Sequence, residues 1–170
     1  MMVTFNSTSW ATARGMILNL PANVLIAFVQ EHHLQASKVD EASATMAACG
    51  WGSFWGPAEV LQSGFTSGGV AIFVRLSVGA TDPQEIAPEI AARFGHRAVA
   101  CTVVLPGFGR LQCWSLYLFD GDKMGANNTD LLRAVGLSAW PFQLLMAADW
   151  QMDPELLEHS SFLEAVGGKS

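Results

Sequence analysis

Three polar residues whose side chains could bind a divalent cation stand at the ends of apolar runs in this sequence. They are Asn6, Glu31 and Asp149. Each run is predicted to be a buried strand: Met2–Phe5, Val24–Val29 and Phe142–Ala148. Strand ends can converge on one edge of a sheet, and carboxylate and amide oxygens suit Mg²⁺ or Mn²⁺. The pattern predicts a metal site, although polar residues also commonly end strands for no other reason.

The remaining sequence predicts the elements that would position these residues. Further strands are expected at Val70–Val74, after Gly68-Gly69, and in a hairpin of Ala98–Leu105 and Leu111–Phe119. Helices are expected at Thr12–Leu20, Asp40–Cys49, Thr81–Phe94 and Asn128–Val135, the last ending at Gly136. Trp51–Pro57 is predicted to be a loop leading to an edge strand. A hairpin combined with helical connections favours layered α/β or α+β packing.

The composition fits a single domain spanning residues 1–170. The chain is 51% hydrophobic and 14% charged, whereas soluble domains carry roughly 25% charged residues. Two interpretations stay open: an incomplete domain, and a compact domain with few surface charges.

The charge balance argues against one class of function. Nine Lys and Arg against fifteen Asp and Glu give a net charge of −6, which argues against tight non-specific DNA binding by this chain alone. A nucleic-acid enzyme is still allowed, because a local patch or bound cations can outweigh the average. The candidates for such a patch are Arg14, Lys38, Arg75, Arg97 and Arg110, although solvated surface positions explain them equally well.

The cysteines and the apolar runs limit the setting of the protein. Cys49, Cys101 and Cys113 form no CxxC pair, so neither a disulfide framework nor a zinc site is indicated. We expect a reduced intracellular location, the nucleus included. No apolar run approaches the roughly 18 residues that a membrane span needs, and no secretory signal is evident.

Five segments together resemble the endonuclease/exonuclease/phosphatase superfamily, whose fold is DNase I-like, and are most similar to LINE-type retroelement endonuclease domains. In chain order they are TFNSTSW at Thr4–Trp10, LIAFVQEHHL at Leu25–Leu34, SGGVAIFVR at Ser67–Arg75, LQCWSLYLFDGD at Leu111–Asp122 and FQLLMAADWQMDP at Phe142–Pro154. The resemblance implies a layered β-sandwich flanked by helices.

The resemblance also implies roles for particular residues. Glu31 would bind the catalytic Mg²⁺ or Mn²⁺, with Asn6 and Asp149 completing the metal shell. Tyr117, the only tyrosine in the chain, would contact the phosphate. Asp149 would position the attacking water or act as its base, and Gln151 would stand beside it in the catalytic set. The implied reaction is hydrolysis of a DNA phosphodiester.

Two departures from the family pattern predict a truncated and impaired domain. Gln151 replaces the motif Asn, with Ala148 before it in place of Gly. The family's last motif, of Ser-Asp-His type, is absent from residues 154–168, and His159 comes too early to replace it. His32 and His33 are predicted to be exposed loop histidines rather than ligands. His96 has no motif support.

Three functions therefore remain open. The first is an endonuclease module that cleaves DNA. The second is a catalytically inactive fragment or degenerate copy of such a domain. The third is a superfamily hydrolase that acts on another phosphoester, and the loops that would decide between the first and third are not interpretable from one sequence.

Overall fold

The computed structural model describes residues 1–82, 88–139 and 143–150. Gln151, His159 and Phe142 lie outside these ranges, as does the predicted start of a helix after Pro83. Within the described part of the chain, no helix is long and apolar enough to cross a membrane.

The described elements alternate between strands and helices. In chain order they are β1 (Met2–Asn6), α1 (Trp10–Leu18), β2 (Ile26–Gln30), a 3₁₀ turn (Ala36–Lys38), α2 (Val39–Ala48), β3 (Trp51–Gly56), β4 (Glu59–Val60), β5 (Thr66–Ser67), β6 (Val70–Arg75), β7 (Ala80–Thr81), α3 (Pro88–Phe94), β8 (Ala98–Leu105), β9 (Gly109–Tyr117), α4 (Ala126–Ala139) and β10 (Gln143–Asp149).

The strands form two four-stranded sheets and one small hairpin. The first sheet has the order β1-β2-β6-β3, and the second has the order β10-β9-β8-β7. Each sheet contains one parallel pair, β1 with β2 and β10 with β9, while the other neighbours are antiparallel. β4 and β5 pair as a separate two-stranded hairpin. The mixed α/β architecture agrees with the fold class predicted from the sequence.

The two sheets pack face to face through apolar side chains. Ile26, Phe28 and Ile72 of the first sheet share one buried cluster with Val103 and Cys113 of the second. The outer face of the first sheet is covered by side chains of α1 and α2. The outer face of the second is covered by α3 and α4. The result is a two-sheet sandwich flanked by helices.

Several predicted helix boundaries are shifted. α1 begins at Trp10 rather than Thr12, because Ser9 is the N-cap and its hydroxyl accepts the Thr12 N–H at 3.2 Å. α2 begins at Val39 rather than Asp40, and Asp40 lies in its first turn, where its negative charge favours the helix N-terminus.

α4 shows that a glycine near the end of a predicted helix does not always stop it. The helix continues through Gly136 to Ala139, because Leu132, Val135 and Ala139 remain on its buried face. Tertiary burial outweighs the roughly 1 kcal/mol by which glycine disfavours a helix interior.

The prediction of a loop at 51–57 was wrong, because Trp51–Gly56 is strand β3 at the edge of the first sheet. Glycines weaken a strand pattern, but Gly56 has a specific reason to be there. A β-carbon at Gly56 would collide with the backbone oxygen of Gly95. The glycine therefore permits a close approach between backbones.

Candidate active site

The carboxyl ends of two parallel strand pairs, one from each sheet, meet at one edge of the sandwich. In the first sheet Asn6 stands beside Gln30, and in the second Asp149 stands beside Tyr117. The Asn6 side-chain amide donates a hydrogen bond of 2.6 Å to the Asp149 carboxylate. This contact joins two residues 143 positions apart and connects the edge strands of the two sheets.

Glu31 follows β2 directly and has a left-handed backbone, with φ of 56°. Only a few per cent of non-glycine residues have positive φ, so the surrounding contacts must hold this conformation. It ends the extended pattern of β2. The Glu31 carboxylate lies close enough to the hydroxyl of Tyr117, the last residue of β9, to raise the Tyr117 pKa. Glu31 and Tyr117 therefore connect the two sheets beside the Asn6–Asp149 pair.

A pair of glycines holds the backbone after Glu31. The N–H groups of His32 and His33 donate to the carbonyls of Gly69 and Gly68, each at 3.2 Å. Gly68 and Gly69 have φ of 69° and 90°, and a β-carbon at Gly69 would lie 2.7 Å from the His32 ring. A side chain at either glycine is thus disfavoured both by conformation and by space.

The prediction that His32 is an exposed loop residue was wrong, since its side chain is fully buried. Its Nδ1 accepts the Leu34 N–H at 2.9 Å, and its ring packs edge-on against Trp55. Burial lowers the His32 pKa to about 4. His32 is thus neutral at pH 7, and acceptance by Nδ1 leaves the proton on Nε2.

His33 is half-buried, so the prediction of an exposed position was wrong for it as well. Its Nδ1 lies 3.1 Å from the Thr66 carbonyl, on the β4–β5 hairpin. The Nδ1 atom of each ring thus has a hydrogen-bond partner, whereas His32 Nε2 is buried without one among the described residues.

Tyr117 lies between the charged groups of the site. Burial, the hydrogen bond to Glu31 and the negative charges of Glu31 and Asp149 raise its pKa to about 12, against the opposing effect of Arg97. The hydroxyl is therefore protonated at neutral pH and can donate a hydrogen bond. Since both carboxylates act on the same phenol, the three groups share one small region.

Arg97 is a half-buried cation beneath Tyr117. Its guanidinium lies 4.8 Å from the Tyr117 ring and 4.0 Å from the Phe119 ring. It donates to the Leu118 carbonyl at 3.1 Å. Burial lowers the Arg97 pKa, while the neighbouring groups of Tyr117, Glu59 and Glu31 raise it. The group stays charged at neutral pH and supplies positive charge beside Glu31.

Arg97 appeared in the sequence only as one of five candidates for a basic patch. The hairpin register does identify it, because Ala98 pairs with Leu116 and the preceding residue therefore stands across from Tyr117. The Tyr117 N–H donates to the Arg97 carbonyl at 2.8 Å.

The other four basic candidates are placed differently. Arg75 lies at the end of β6 away from the site and stacks over Trp51, and Arg110 lies near the hairpin turn at the far end of β9. Lys38 pairs with Glu41 on an exposed surface, and Arg14 is an exposed residue of α1. These positions do not form a basic groove around Glu31 and Asp149.

His96 and Glu59 form another contact next to Arg97. The His96 Nε2 lies 3.5 Å from the Glu59 carboxylate. Burial and the neighbouring Arg97 lower the His96 pKa, and Glu59 opposes this effect. The pair attaches the β4–β5 hairpin to the segment that precedes β8.

The donors at this edge fit a hard divalent cation. Two carboxylates and an amide offer oxygen atoms without thiolate or imidazole, which is the chemistry that Mg²⁺ and Mn²⁺ prefer. No cluster of three or more His, Cys, Asp and Glu suited to a metal occurs among the described residues. A cation held here would accordingly keep several water ligands.

Four of the five site residues predicted from the sequence are therefore close together: Asn6, Glu31, Tyr117 and Asp149. The fifth, Gln151, lies outside the described residues. The roles assigned to these residues from the family resemblance remain predictions.

The two-sheet sandwich and its helices define the fold of the DNase I-like nucleases and phosphatases. The 3′–5′ exonuclease NExo from Neisseria meningitidis is similar to this chain with a TM-score of 0.64 and 17% identity, over 96% of this chain and 69% of its own. A NExo 3′ phosphatase from Neisseria bound to product DNA hairpin gives a TM-score of 0.62, with 17% identity over 97% and 68%.

A third neighbour is the AP endonuclease LMAP from Leishmania major, with a TM-score of 0.60 and 14% identity over 97% of this chain and 66% of its own. No family model matches the sequence, and no curated protein matches it significantly. The shared property is thus the fold, and this chain spans about two thirds of the length of these neighbours.

Proposed function

We propose that this protein is a metal-dependent phosphoester hydrolase that acts on DNA. The observation that carries the proposal is the cluster at one sandwich edge: the Asn6–Asp149 hydrogen bond beside the Glu31–Tyr117 contact, with Arg97 beneath. The cluster combines metal-binding oxygens, a neutral hydrogen-bond donor and a cation. Phosphoester hydrolysis uses all three.

Each residue has a distinct task in this proposal. Glu31 and Asn6 hold Mg²⁺ or Mn²⁺, which when bound supplies charge to polarise a phosphoryl oxygen and promote ionisation of water. Asp149, oriented by Asn6, accepts a proton from the attacking water. Tyr117 has one hydroxyl proton, which it directs to Glu31 in the free protein and to a phosphate oxygen when the substrate is bound. Arg97 contributes fixed positive charge where negative charge develops.

The β4–β5 hairpin supports a nucleic acid as the substrate. It is held beside Glu31 by the His33–Thr66 contact, and the Phe65 side chain at its tip is 73% exposed. An exposed aromatic ring next to a phosphate site can stack on a base. Neighbours of the same fold include an enzyme bound to DNA and an AP endonuclease.

The motif order supports a narrower version of this proposal. It indicates an endonuclease of the retroelement type, which would work on chromosomal DNA in the nucleus. The net charge of −6 implies weak DNA affinity for this chain, so the catalytic cluster rather than a basic surface would locate the phosphate.

The test is cleavage of supercoiled plasmid by the purified chain with Mg²⁺ or Mn²⁺. Glu31→Gln is the matched control, since it removes the charge and keeps the shape. We expect nicking that needs the metal and that is lost in Glu31→Gln. A folded chain that nicks no plasmid in either metal would contradict the proposal.

A second candidate is a phosphatase that removes a terminal phosphate. Four of the five candidate cations, Arg14, Lys38, Arg75 and Arg110, form no basic groove around the site. This favours a small substrate, which needs fewer contacts to the nucleic-acid backbone. A neighbour of the same fold is described as a 3′ phosphatase. Release of inorganic phosphate from a 3′-phosphorylated oligonucleotide, without cleavage of plasmid, would select this function. Absence of both activities would favour an inactive copy.

A further inference from the structure

Two polar side chains lie buried in the otherwise apolar interface between the two sheets. Gln30 is 1% exposed and Ser115 is completely buried. The Gln30 amide donates to the Ser115 hydroxyl at 3.0 Å, and that hydroxyl donates to the Val29 carbonyl at 3.1 Å. We call this contact between β2 and β9 the Gln30–Ser115 bridge.

The bridge extends to the edge strand of the first sheet. The Thr4 hydroxyl donates to the Gln30 side-chain oxygen at 3.2 Å. The Gln30 backbone carbonyl also accepts the N–H and the hydroxyl of Ser7, at 2.8 and 3.1 Å. Gln30 therefore has hydrogen-bond partners on β1, on the segment after it and on β9.

The bridge stands directly behind the catalytic cluster. Gln30 immediately precedes Glu31, and Ser115 comes two residues before Tyr117. Residues two apart in a strand lie on the same face, so Ser115 and Tyr117 both face the other sheet. Thr4 has the same relation to Asn6. Each strand that enters the bridge thus carries a site residue one or two positions further on.

Cohesion of the sheets does not require a polar bridge here. Replacing both partners of a buried hydrogen bond by apolar groups of similar shape can be nearly neutral for stability. Apolar contacts are non-directional, however, whereas a hydrogen bond restricts distance and angle. The bridge therefore fixes the position of one sheet relative to the other at the point where Glu31 must meet Tyr117.

We propose that Gln30 and Ser115 are positioning residues that hold the Glu31 carboxylate against the Tyr117 hydroxyl by fixing the two sheets at this edge. The catalytic consequence rests on the proposed hydrolase function. The position of the Glu31 carboxylate relative to the Tyr117 hydroxyl does not depend on that function, so geometry and catalysis are measured separately.

The variants are Gln30→Met, which is nearly isosteric and apolar, and Ser115→Ala. Gln112→Met is the matched control, because Gln112 is also buried on β9 but on the opposite face from Ser115. Glu31→Gln defines the effect of removing the charged partner of Tyr117. Circular dichroism establishes that each variant is folded.

The geometric measurement uses the single tyrosine as a reporter. With ¹³Cζ-labelled tyrosine, metal-free protein at pH 7 gives one resonance, whose chemical shift depends on the hydroxyl's hydrogen bond. The Glu31→Gln variant gives the chemical shift of a tyrosine that has lost its charged partner. In Gln30→Met and Ser115→Ala we expect the shift to move at least about half of the way from the wild-type value to that value. The reason is that a displacement of about one ångström between the sheets would break the contact between Glu31 and Tyr117. Gln112→Met should leave it unchanged.

The catalytic measurement is steady-state cleavage with Mn²⁺. We expect kcat of Gln30→Met to fall by about 10- to 100-fold, as for other misplaced catalytic groups, while KM changes by less than about threefold because the substrate contacts remain. Ser115→Ala should also lower kcat while leaving KM nearly unchanged.

An unchanged tyrosine shift in folded Gln30→Met would overturn the positioning role, whatever the activity. An equal shift in Gln112→Met would also overturn it, since the effect would then be general to buried substitutions. If Gln30→Met does not fold, the tyrosine shift is measured in Ser115→Ala, which is a smaller substitution, and an unchanged shift there would overturn the positioning role. An inactive wild type would refute the hydrolase function, and the tyrosine shift would still decide the positioning role.

Discussion

The Asn6 amide lies 2.6 Å from the Asp149 carboxylate and connects the first and the last described strands of the protein. Neither residue could be assigned a partner from its local sequence. The contact leaves the Asn6 side-chain oxygen free to face a cation while its nitrogen orients Asp149. Asn6 therefore has two tasks in the proposed site, and this double role can be tested.

Replacing Asn6 with Ala should lower metal-dependent cleavage by about 10- to 100-fold, the usual effect of losing a group that orients a metal or catalytic ligand. Plasmid nicking at saturating Mn²⁺ measures the change. Met2→Ala is the control, because it shortens an exposed side chain of the same strand without changing a group that contacts Asp149 or Gln30. Unchanged activity in a folded Asn6→Ala variant would remove Asn6 from the site.

Tyr117 should titrate with a pKa of about 12 in the native protein. Because the chain has one tyrosine, absorbance at about 295 nm follows its ionisation, whose ordinary pKa is about 10. The native pKa is raised, so the folded state loses stability relative to the unfolded state as pH increases from about 10 to 12. Glu31→Gln should lower the midpoint, and an unshifted midpoint in that variant would contradict the contact.

His32 should make the fold sensitive to acid. Its folded pKa of about 4 lies below its ordinary value of 6.5, so protons bind the unfolded state more readily and stability falls as pH decreases from 6.5 towards 4. The full effect is about 3 kcal/mol. Urea unfolding at a series of pH values measures it.

The control for that experiment is His33→Asn, which changes the neighbouring histidine and should preserve the acid sensitivity. His32→Asn should be less stable at pH 7 but should lose this part of the pH dependence. A His32→Asn variant with the same slope between pH 6.5 and 4 would show that another group is responsible.

Asn128 should be essential for stability although it lies outside the catalytic cluster. It is fully buried, accepts the Phe119 N–H at 2.7 Å and donates to the carbonyls of Phe119 and Lys123. Asn128→Ala leaves these backbone groups without their partner and should cost about 3 kcal/mol. Asn127→Ala, at an exposed neighbouring position, should be neutral. Thermal melting compares the two, and equal melting temperatures would refute this structural role.

Phe65 should distinguish a nucleic-acid substrate from a small phosphoester. Phe65→Ala removes the exposed ring at the hairpin tip and should raise KM for an oligonucleotide by about 5- to 100-fold, the value of one stacked base. Hydrolysis of bis(p-nitrophenyl) phosphate should not change. Phe108→Ala is the control, because Phe108 is 68% exposed but lies at the turn at the far end of β9. Equal effects of the two substitutions would contradict a specific contact.

Much of the fold could be predicted because its strands are continuous apolar runs and its hairpin turn is rich in glycine. The ends of β1, β2, β6, β8, β9 and β10 all lie within two residues of their predicted positions. β3 was missed because its tryptophans and glycines do not alternate as a half-buried strand does. Gly56 permits the close approach of the Gly95 backbone, and the local sequence around Gly56 does not reveal this contact.

Some residues of the site could be predicted from the sequence and others could not. Asn6, Glu31 and Asp149 were found because each ends a strand, and Tyr117 because of the family resemblance. Arg97 and the Gln30–Ser115 bridge were not assigned, since a buried polar residue looks like any other polar residue in a strand. The same limit explains the error at His32, whose burial comes from Trp55 and from the glycine pair.

The sequence by itself determined the six strands that are continuous apolar runs and the polar groups at their ends, because hydrophobicity along a strand is a local property of the chain. Only the tertiary structure decided that Glu31 meets Tyr117 and that Asn6 meets Asp149, because these contacts depend on how two sheets are placed against each other. That placement results from long-range packing and from buried hydrogen bonds between residues far apart in the chain. The chemistry of the site therefore belongs to the interface between the sheets.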